Sequence, residues 1–368
     1  MDIIEKKLQD LLTNNQQPNI KDLLLFSCYR PLNKYTWSSR IKLTGQFPDF
    51  EKRLLSEPRR QAHITNEIPR IKNISNSVSK QVRTQYEENP YPRWVKCRLM
   101  REPKSILVLC QKLSLSVADK NIFDVKTPEI LVAGCGTGQH SIQTADRFKD
   151  CKVTAIDLSL SSLSYAKMKS EELNFNNINY LHTDILDIEL LNKKFDIIES
   201  GGVLHHLKDP LEGWGALTNA LRPGGLMKIG LYSKHARQII INQRQKLGLH
   251  KKKINREIIL DEREKIIKSD NNFASTVKKW NDFYSLSEMR DLLYHVQEHQ
   301  FTLPQIKECL NILNLSFCGF ESQALNRVFS LHHTDPNDIF NLDRWNEFEI
   351  KNPYIFAGMY QIWCQKNK

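Results

Sequence analysis

A glycine-rich run is the first feature of this sequence that could do chemistry. Residues 133–138 read Ala-Gly-Cys-Gly-Thr-Gly after an apolar segment, and glycine at alternate positions lets the backbone approach a ligand where a Cβ atom would collide. Asp157 follows 19 residues after Gly138, where a carboxylate can accept hydrogen bonds from both hydroxyls of a ribose. Asp184 ends a third apolar segment, where it can meet an adenine amino group. NAD, FAD and S-adenosylmethionine proteins share such runs, but Gln139 stands where a dinucleotide fingerprint would need glycine.

Two adjacent histidines could move a proton. His205 and His206 follow the fourth apolar segment, in Gly-Gly-Val-Leu-His-His, and imidazole titrates near neutral pH. We therefore predict that one of them lines an acceptor pocket and serves as a general base. The alternative is that the pair only caps or packs the loop before the helix that starts at Pro210.

An aromatic and polar turn lies upstream of the glycine run. The segment 77–94 begins as a helix, and this helix must end at Asn89, because Pro90 disfavours helical geometry in the residue before it. Tyr86, Tyr91 and Arg93 are predicted to contact the substrate, because a segment here can fold over the cleft and arginine binds carboxylates through two hydrogen bonds. The alternative is that Tyr91 and Trp94 anchor the N-terminal helices on the core.

The run His295-Val296-Gln297-Glu298-His299 matches the helix-borne zinc motif of inverted zinc peptidases. Two histidines four residues apart share a helix face, but no third ligand can be identified, so we predict no metal site. Instead, His295 and His299 are predicted to face the acceptor together with Tyr284, or to tie this segment to the core through buried hydrogen bonds.

Strands and helices alternate from residue 129 onward. The predicted strands are 129–134, 152–157, 178–183, 195–200, 226–233, 315–321 and 355–365, and helices are predicted near 138–148, 160–173, 210–221 and 302–313. Continuous apolar strands separated by helices indicate a parallel sheet with helices on both faces. Right-handed connections then give a Rossmann-like, doubly wound α/β fold, whose ligand lies beyond the carboxyl ends of the strands.

The segments VAGCGTGQHSI, TAIDLS, LHTDILDI, FDIIESGGVLHHLKDP and LRPGGLMKIGLYS together resemble the successive motifs of class I S-adenosylmethionine-dependent methyltransferases. The resemblance covers roughly residues 125–235 and implies a seven-stranded sheet in the order 3-2-1-4-5-7-6 with the last strand antiparallel. It also implies S-adenosyl-L-methionine as cofactor. The cofactor-binding residues that we then expect are Ala133, Gly134, Cys135, Gly136, Gly138, Asp157, Leu158, Asp184, Ile185 and Glu199.

A closer likeness concerns the outer parts of the chain. QYEENPYPRW, DFYSLSEMRDLLYHVQEHQFTLPQI and NPYIFAGMYQIWCQK resemble a bacterial subgroup that often carries tetratricopeptide repeats, which this sequence lacks. The expected organisation is a helical N-terminal region (1–76), an aromatic turn and linking helix over the cleft (77–124), the S-adenosylmethionine-binding core (125–233), an inserted helical cap (234–301) and the C-terminal part of the sheet (302–368).

Composition restricts the setting more than the substrate. The sequence contains no run of 18 apolar residues, so it predicts no membrane span. Its eight scattered cysteines, without a Cys-x-x-Cys pair, favour a reducing, cytoplasmic location. The net charge of +11 leaves nucleic acid possible as a partner, although no RNA-binding motif supports it and a solvated basic surface is the simpler interpretation.

The acceptor that we expect is a small metabolite or a lipid- or quinone-like molecule, because the cap supplies aromatic residues. The alternatives are methylation of a macromolecule, either RNA or a protein side chain, and a non-catalytic module that binds the donor. The sequence does not indicate the oligomeric state.

Overall fold

The computed structural model describes residues 1–43, 45, 47–92, 94–248 and 254–368. The chain divides into two compact units, residues 1–67 and residues 68–368. The helices that the structure describes are too short or too polar to cross a membrane.

The first unit is helical. It contains α1 (Asp2–Thr13), α2 (Ile20–Ser27), the short α3 (Pro48–Glu51) and α4 (Glu57–Ile64). Leu8 and Leu12, one helical turn apart on α1, are buried against Leu23 and Phe26 of α2 because their spacing places them on one face of each helix. Trp37 covers the far side of this small core and stacks on Tyr35, with ring centroids 4.9 Å apart.

The second unit is built on a seven-stranded sheet in the order β3-β2-β1-β4-β5-β7-β6. All neighbours pair in parallel except β7, which is antiparallel to β5 and β6. This topology confirms the predicted doubly wound fold and strand order. The strands are β1 (Glu129–Ala133), β2 (Lys152–Asp157), β3 (Ile178–His182), β4 (Phe195–Gly201), β5 (Leu221–Leu231), β6 (Leu315–Phe320) and β7 (Tyr360–Lys366).

Helices cover both faces of the sheet and also build the peripheral parts of this unit. Several begin where the sequence supplies a side-chain cap: Asn76 accepts from the backbone N–H groups of Val78 and Ser79, and Asp209 caps a helix that starts with Pro210. The helices are α5 (Ser77–Glu88), α6 (Ile106–Leu113), α7 (Gln139–Arg147), α8 (Leu160–Glu172), α9 (Pro210–Ala220), α10 (Gln238–Leu247), α11 (Arg256–Lys268), α12 (Asn272–Val277), α13 (Leu286–Tyr294), α14 (Leu303–Ile312), α15 (Gln323–Ser330) and α16 (Leu342–Lys351).

Two strands start five residues away from the predicted position, and the other differences are shifts of one or two residues at strand ends. β5 begins at Leu221, five residues before the predicted start, because Leu221 already pairs with Phe195 of β4. β7 begins at Tyr360 rather than at residue 355, because residues 353–358 form turns in which Phe356 packs into the core without joining the sheet.

The segment between β5 and α14 leaves the sheet and returns at one point. Ser233 and Phe301 form an isolated parallel bridge, so the segment 234–301 begins and ends side by side. Helices α10 to α13 of this segment bury a separate apolar cluster that includes Ile240, Phe283 and Leu293. The helix α13 ends at Tyr294, so His295 and His299 do not share a helix face as the zinc-peptidase motif would require.

Candidate active site

The glycine run forms the turn between β1 and α7. Gly136 and Gly138 have φ angles of +52° and +88°, a region that residues with a Cβ atom rarely occupy. A Cβ atom on Gly138 would also lie 2.5 Å from the Cβ of Ala166, and one on Gly136 would lie 2.8 Å from the carbonyl oxygen of Tyr91. Both glycines are therefore needed for the turn itself and for the close approach of α8 and of the aromatic turn.

Two carboxylates stand beside this turn, at the ends of β2 and β3. Asp157 accepts hydrogen bonds from the backbone N–H groups of Gly136 (2.8 Å) and Ser159 (2.9 Å), one on each oxygen. Burial raises the pKa of Asp157 to about 6, although both backbone hydrogen bonds act in the opposite direction. Asp184 accepts from the backbone N–H of Leu186 at 3.1 Å, which fixes its side chain at the start of a short 3₁₀ helix.

A cavity of about 280 Å³ runs from these carboxylates to the other side of the cleft. Its volume lies near the lower end of the range for pockets that enclose small ligands, about 300–1,000 Å³. One end is lined by the glycine turn, Asp157 and Asp184, and the other by His206, Tyr232 and Asp291. Further lining residues are Ser79, Val82, Tyr86, Tyr91, Pro92, Gln139, His140, Gln143, Ile156, Leu158, Ser162, Thr183, Ile185, Gly201, Gly202, Val203, Leu207 and Met359.

The backbone of Gln297 orients two histidines, His206, which lines the far end of this cavity, and His295, which stacks on it. His206 Nδ1 lies 2.7 Å from the carbonyl oxygen of Gln297, which can only accept, so this nitrogen carries a proton. His295 Nδ1 accepts from the backbone N–H of Gln297 at 3.2 Å, so its proton resides on Nε2. The two rings stack with centroids 3.5 Å apart. His206 Nε2 therefore has a free lone pair, whereas His295 Nε2 is a donor.

His295 continues into a hydrogen-bonded chain that ends on a buried carboxylate. Its Nε2 lies 3.1 Å from the hydroxyl oxygen of Tyr86, and that hydroxyl donates to Asp291 Oδ1 at 2.7 Å. Tyr86 comes from α5 and Asp291 from α13, so this chain ties the aromatic turn to the inserted segment. Burial raises the pKa of Asp291 to about 7, against the effect of the Tyr86 hydrogen bond.

Both histidines of this cluster are neutral at neutral pH. Burial lowers the pKa of His206 to about 4, with Glu298 acting in the opposite direction. Burial also lowers the pKa of His295 well below its usual range, and the neighbouring His206 contributes to the shift. A neutral His206 with its lone pair on Nε2 can accept a proton from a bound molecule.

Among the described residues, His206, Asp291 and His295 are close enough to hold a metal ion, with their ligand atoms within 4.8 Å of one another. The hydrogen bond from the Gln297 backbone to His295 Nδ1 disfavours this arrangement, because it leaves the proton on the nitrogen that would have to bind the metal. The absence of a metal requirement stays a prediction.

The structure brings many of the predicted site residues to the cavity. Gly134, Cys135, Gly136, Asp157, Leu158, Asp184 and Ile185 line its donor side, and Tyr86, Tyr91 and His206 line the opposite side. Gly138 shapes the turn without lining the cavity, and Ala133 is buried in β1, where its carbonyl accepts from Ser200. Arg93 lies outside the described residues.

Five further predicted residues do not line the cavity. His295 is buried and stacks on His206 without lining the cavity itself. His205 is fully buried and packs against Tyr232, with ring centroids 4.3 Å apart, so it supports the cavity wall from behind. Tyr284 is 65% exposed and its hydroxyl donates to the carbonyl of Lys278, so it faces solvent instead of the acceptor. His299 contacts Gln297 and does not line the cavity.

Glu199, the fifth, belongs to a buried ion cluster. It is fully buried on β4, where it forms a salt bridge with Arg147 and accepts from Thr144 at 2.6 Å. His140 Nε2 lies 2.8 Å and Lys228 Nζ 3.7 Å from its carboxylate. These partners hold the pKa of Glu199 well below its usual range despite burial. Glu199 thus neutralises these neighbouring cations and does not line the cavity.

Sequence reasoning missed Tyr232, Asp291 and Met359. Tyr232 directly follows β5, the strand next to the histidine-bearing β4, so its place at the carboxyl edge of the sheet was available from the strand assignment. Asp291 offered no such signal, because it stands in an ordinary amphipathic helix of the insertion. Its proximity to Tyr86, 205 residues earlier, depends on how that insertion folds back.

A comparison with known families bears directly on this geometry. A family model described as a methyltransferase domain matches residues 130–225, which include β1 to β4, the glycine turn and both carboxylates. The chain carries a class I methyltransferase domain. The methyltransferase fold and the domain class, as predicted from the sequence motifs, are confirmed at the level of the domain, and the comparisons support S-adenosylmethionine as its cofactor.

Curated relatives of this methyltransferase domain match only part of the chain. An uncharacterized protein of Synechococcus is 26% identical over 242 residues, which cover 61% of this chain and 56% of that protein. A malonyl-(acyl-carrier protein) O-methyltransferase of Acetivibrio thermocellus is 28% identical over 123 residues, covering 33% of this chain and 42% of that protein. The chain thus spans about half the length of the curated relatives it matches.

Among solved structures, PKMT2 from Rickettsia typhi in complex with AdoHcy is similar to this chain with a TM-score of 0.51 and 17% identity. The match covers 75% of this chain and 55% of that one. At this level of identity, the similarity shows only that the two chains share a fold.

Proposed function

We propose that this chain binds S-adenosylmethionine and transfers its methyl group to a small acceptor molecule held beside His206. The observation that carries the proposal is the single cavity, which joins the glycine turn and two carboxylates at one end to a neutral histidine at the other. Such an arrangement would allow a methyl donor and its acceptor to share one cavity.

The donor end fits the groups of S-adenosylmethionine. Asp157 can accept from the ribose hydroxyls, because each of its oxygens has a lone pair left after the backbone hydrogen bonds. Asp184 and the apolar Ile185 stand where the adenine would lie, and the glycine turn leaves room for the remainder. The cofactor supplies an electrophilic methyl group on a sulfonium, so the protein mainly has to position the reactants and exclude water.

At the acceptor end, His206 Nε2 is the group that can take a proton. The carbonyl of Gln297 holds the ring in the required tautomer, and burial keeps it neutral at pH 7. Tyr86, Tyr91 and Val203 line the walls of this region and would limit the access of water. The proposed acceptor atom is therefore an oxygen or nitrogen that loses a proton during the reaction.

Methylation of a macromolecule is the second candidate, and the charge of the inserted segment favours it. Residues 234–268 carry a net charge of +7, which would attract an acidic partner. Against it, the histidine end of the cavity is buried and lies behind Tyr86 and Tyr91, so a long side chain or an extruded base would have to reach it.

The test is transfer of a radiolabelled methyl group from S-adenosylmethionine into an extract of the source cells, separated by size. We expect label in molecules below about 1 kDa, and a loss of tenfold or more with His206→Gln. His299→Gln is the matched control, because His299 does not line the cavity. Label confined to RNA or protein would support the second candidate, and absence of label in both fractions would contradict a methyltransferase activity.

A further inference from the structure

Asp291 is a buried carboxylate that lines the acceptor end of the cavity, and no described lysine or arginine forms an ion pair with it. It is 5% exposed, lines the cavity, and its one hydrogen bond among the described residues is the bond from the Tyr86 hydroxyl to Oδ1. The second carboxylate oxygen of Asp291, Oδ2, has no hydrogen-bond partner among the described residues. A carboxylate is rarely buried in this way unless it is paired, because desolvation of an isolated charge is costly.

We propose that the methyl acceptor is an amine that enters as an ammonium ion, with Asp291 as its counter-ion and the surrounding tyrosine rings as the walls of its site. This inference rests on the proposed function, since it names the class of molecule that the same cavity would methylate.

The charges around the cavity favour a cation. Asp157, Asp184 and Asp291 line it, and no lysine or arginine does so within the described ranges. Arg237, whose guanidinium lies over the ring of Tyr232, is paired with Glu298 by two hydrogen bonds of 2.8 and 3.1 Å. Arg244 donates to the carbonyl of His295 at 2.7 Å and also approaches Glu298. A carboxylate acceptor would therefore meet Asp291 without a compensating cation.

Aromatic faces complete the site. Tyr86 and Tyr91 line the cavity, and the Tyr86 hydroxyl contacts Asp291 directly; the ring of Tyr232 already carries the guanidinium of Arg237, 3.9 Å from its centroid. A cation over an aromatic face is stabilised by about 0.5–2 kcal/mol when it is desolvated. The rings also supply an apolar surface for the carbon skeleton that carries the amine.

Residues of the cavity can take and release the proton that this reaction produces. The ammonium gives one proton to His206 Nε2; a ring nitrogen of His206 and a carboxylate oxygen of Asp291 lie within 4.8 Å of each other, so both residues can contact one bound amine. The nitrogen lone pair then forms the bond to the methyl carbon while the carbon–sulfur bond breaks, and its electron pair stays on sulfur. The product is a methylated ammonium that remains paired with Asp291, and His206 releases its proton to solvent. A nearby sulfonium charge lowers the pKa of the bound ammonium and so eases the first step.

Calorimetric titrations of the complex with S-adenosylhomocysteine test this inference without turnover. Three probes share one carbon skeleton and differ in charge: phenethylamine, 2-phenylethanol and phenylacetate. We expect phenethylamine to bind at least tenfold more tightly than 2-phenylethanol, and phenylacetate not to bind at millimolar concentration. Asp291→Asn should lower the affinity for phenethylamine at least tenfold and change the affinity for 2-phenylethanol by less than twofold. Asp282→Asn is the matched control, because Asp282 is a nearby carboxylate that does not line the cavity.

The outcomes separate this inference from the proposed function. If S-adenosylhomocysteine binds but phenethylamine binds no better than the alcohol or the acid, or not at all, the amine proposal is overturned and the donor site stands. If S-adenosylhomocysteine itself does not bind, the proposed function fails. The preference among the three probes in the unsubstituted protein decides the question even if Asp291→Asn does not fold.

Discussion

The Asp291→Asn substitution should stabilise the protein at alkaline pH, because the structure buries this carboxylate without an ion pair to any described lysine or arginine. Its pKa rises from 3.8 to about 7 on folding, so the folded state holds a proton that the unfolded chain releases at lower pH. A shift of this size corresponds to about 4 kcal/mol against folding once both states are ionised. The loss of stability accumulates as pH rises from about 4 to about 7, and asparagine does not experience it.

The expected difference is therefore larger at pH 8 than at pH 5. Between these values the advantage of Asp291→Asn over the unsubstituted protein should grow by about 3 kcal/mol, as measured by urea-induced unfolding without added ligand. Tyr86→Phe provides a control of opposite character: the Tyr86 hydrogen bond lowers the pKa of Asp291, so its removal should extend the loss of stability to higher pH. An advantage of the same size at pH 5 and pH 8 would refute the description of Asp291 as an unpaired buried carboxylate.

Three further predictions concern the rest of the site. His206→Gln should reduce methyl transfer by at least tenfold while the calorimetric affinity for S-adenosylmethionine stays within threefold; the reverse pattern would assign His206 to the donor pocket. Arg147→Met leaves Glu199 buried without its closest partner, so the free energy of unfolding should fall by about 3–5 kcal/mol in urea titrations, and a change below about 1 kcal/mol would contradict the importance of this pair. Chelator-treated protein should keep its donor affinity and its transfer rate, whereas stoichiometric zinc that is lost in His295→Ala would establish the metal site that we argue against.

The sequence was informative where the chemistry depends on neighbouring strands. The apolar runs of β1 to β4 and the residues directly after them determined the positions of the glycine turn, Asp157, Asp184 and His206, because parallel strands present their carboxyl ends at one edge. The sequence did not indicate which side chains of a loop point into the cavity. Adjacent residues in the strand-four loop diverge, so His206 faces the cavity while His205 packs behind it.

Elsewhere the outcome depended on long-range packing. Glu199 looked like a cofactor ligand at the end of β4, but its surroundings of Arg147, His140 and Lys228 come from α7 and β5 and could not be read from its own segment. The inserted segment was expected to reach the acceptor through Tyr284, whereas the structure turns that residue to solvent and brings in Asp291. Tyr284 and Asp291 belong to the same inserted segment, and only the fold of that segment decides which of its polar residues faces the cavity.

The most direct test of the central claim is calorimetric titration of S-adenosylmethionine into the unsubstituted protein and into Asp157→Ala. The account predicts one site per chain, with affinity reduced at least about 30-fold in the variant, since two charge-assisted hydrogen bonds to the ribose contribute about 2–4 kcal/mol. Circular dichroism should show that the variant keeps its fold. Equal affinity in the two proteins, or no binding to either, would contradict the assignment of this cavity as the donor site.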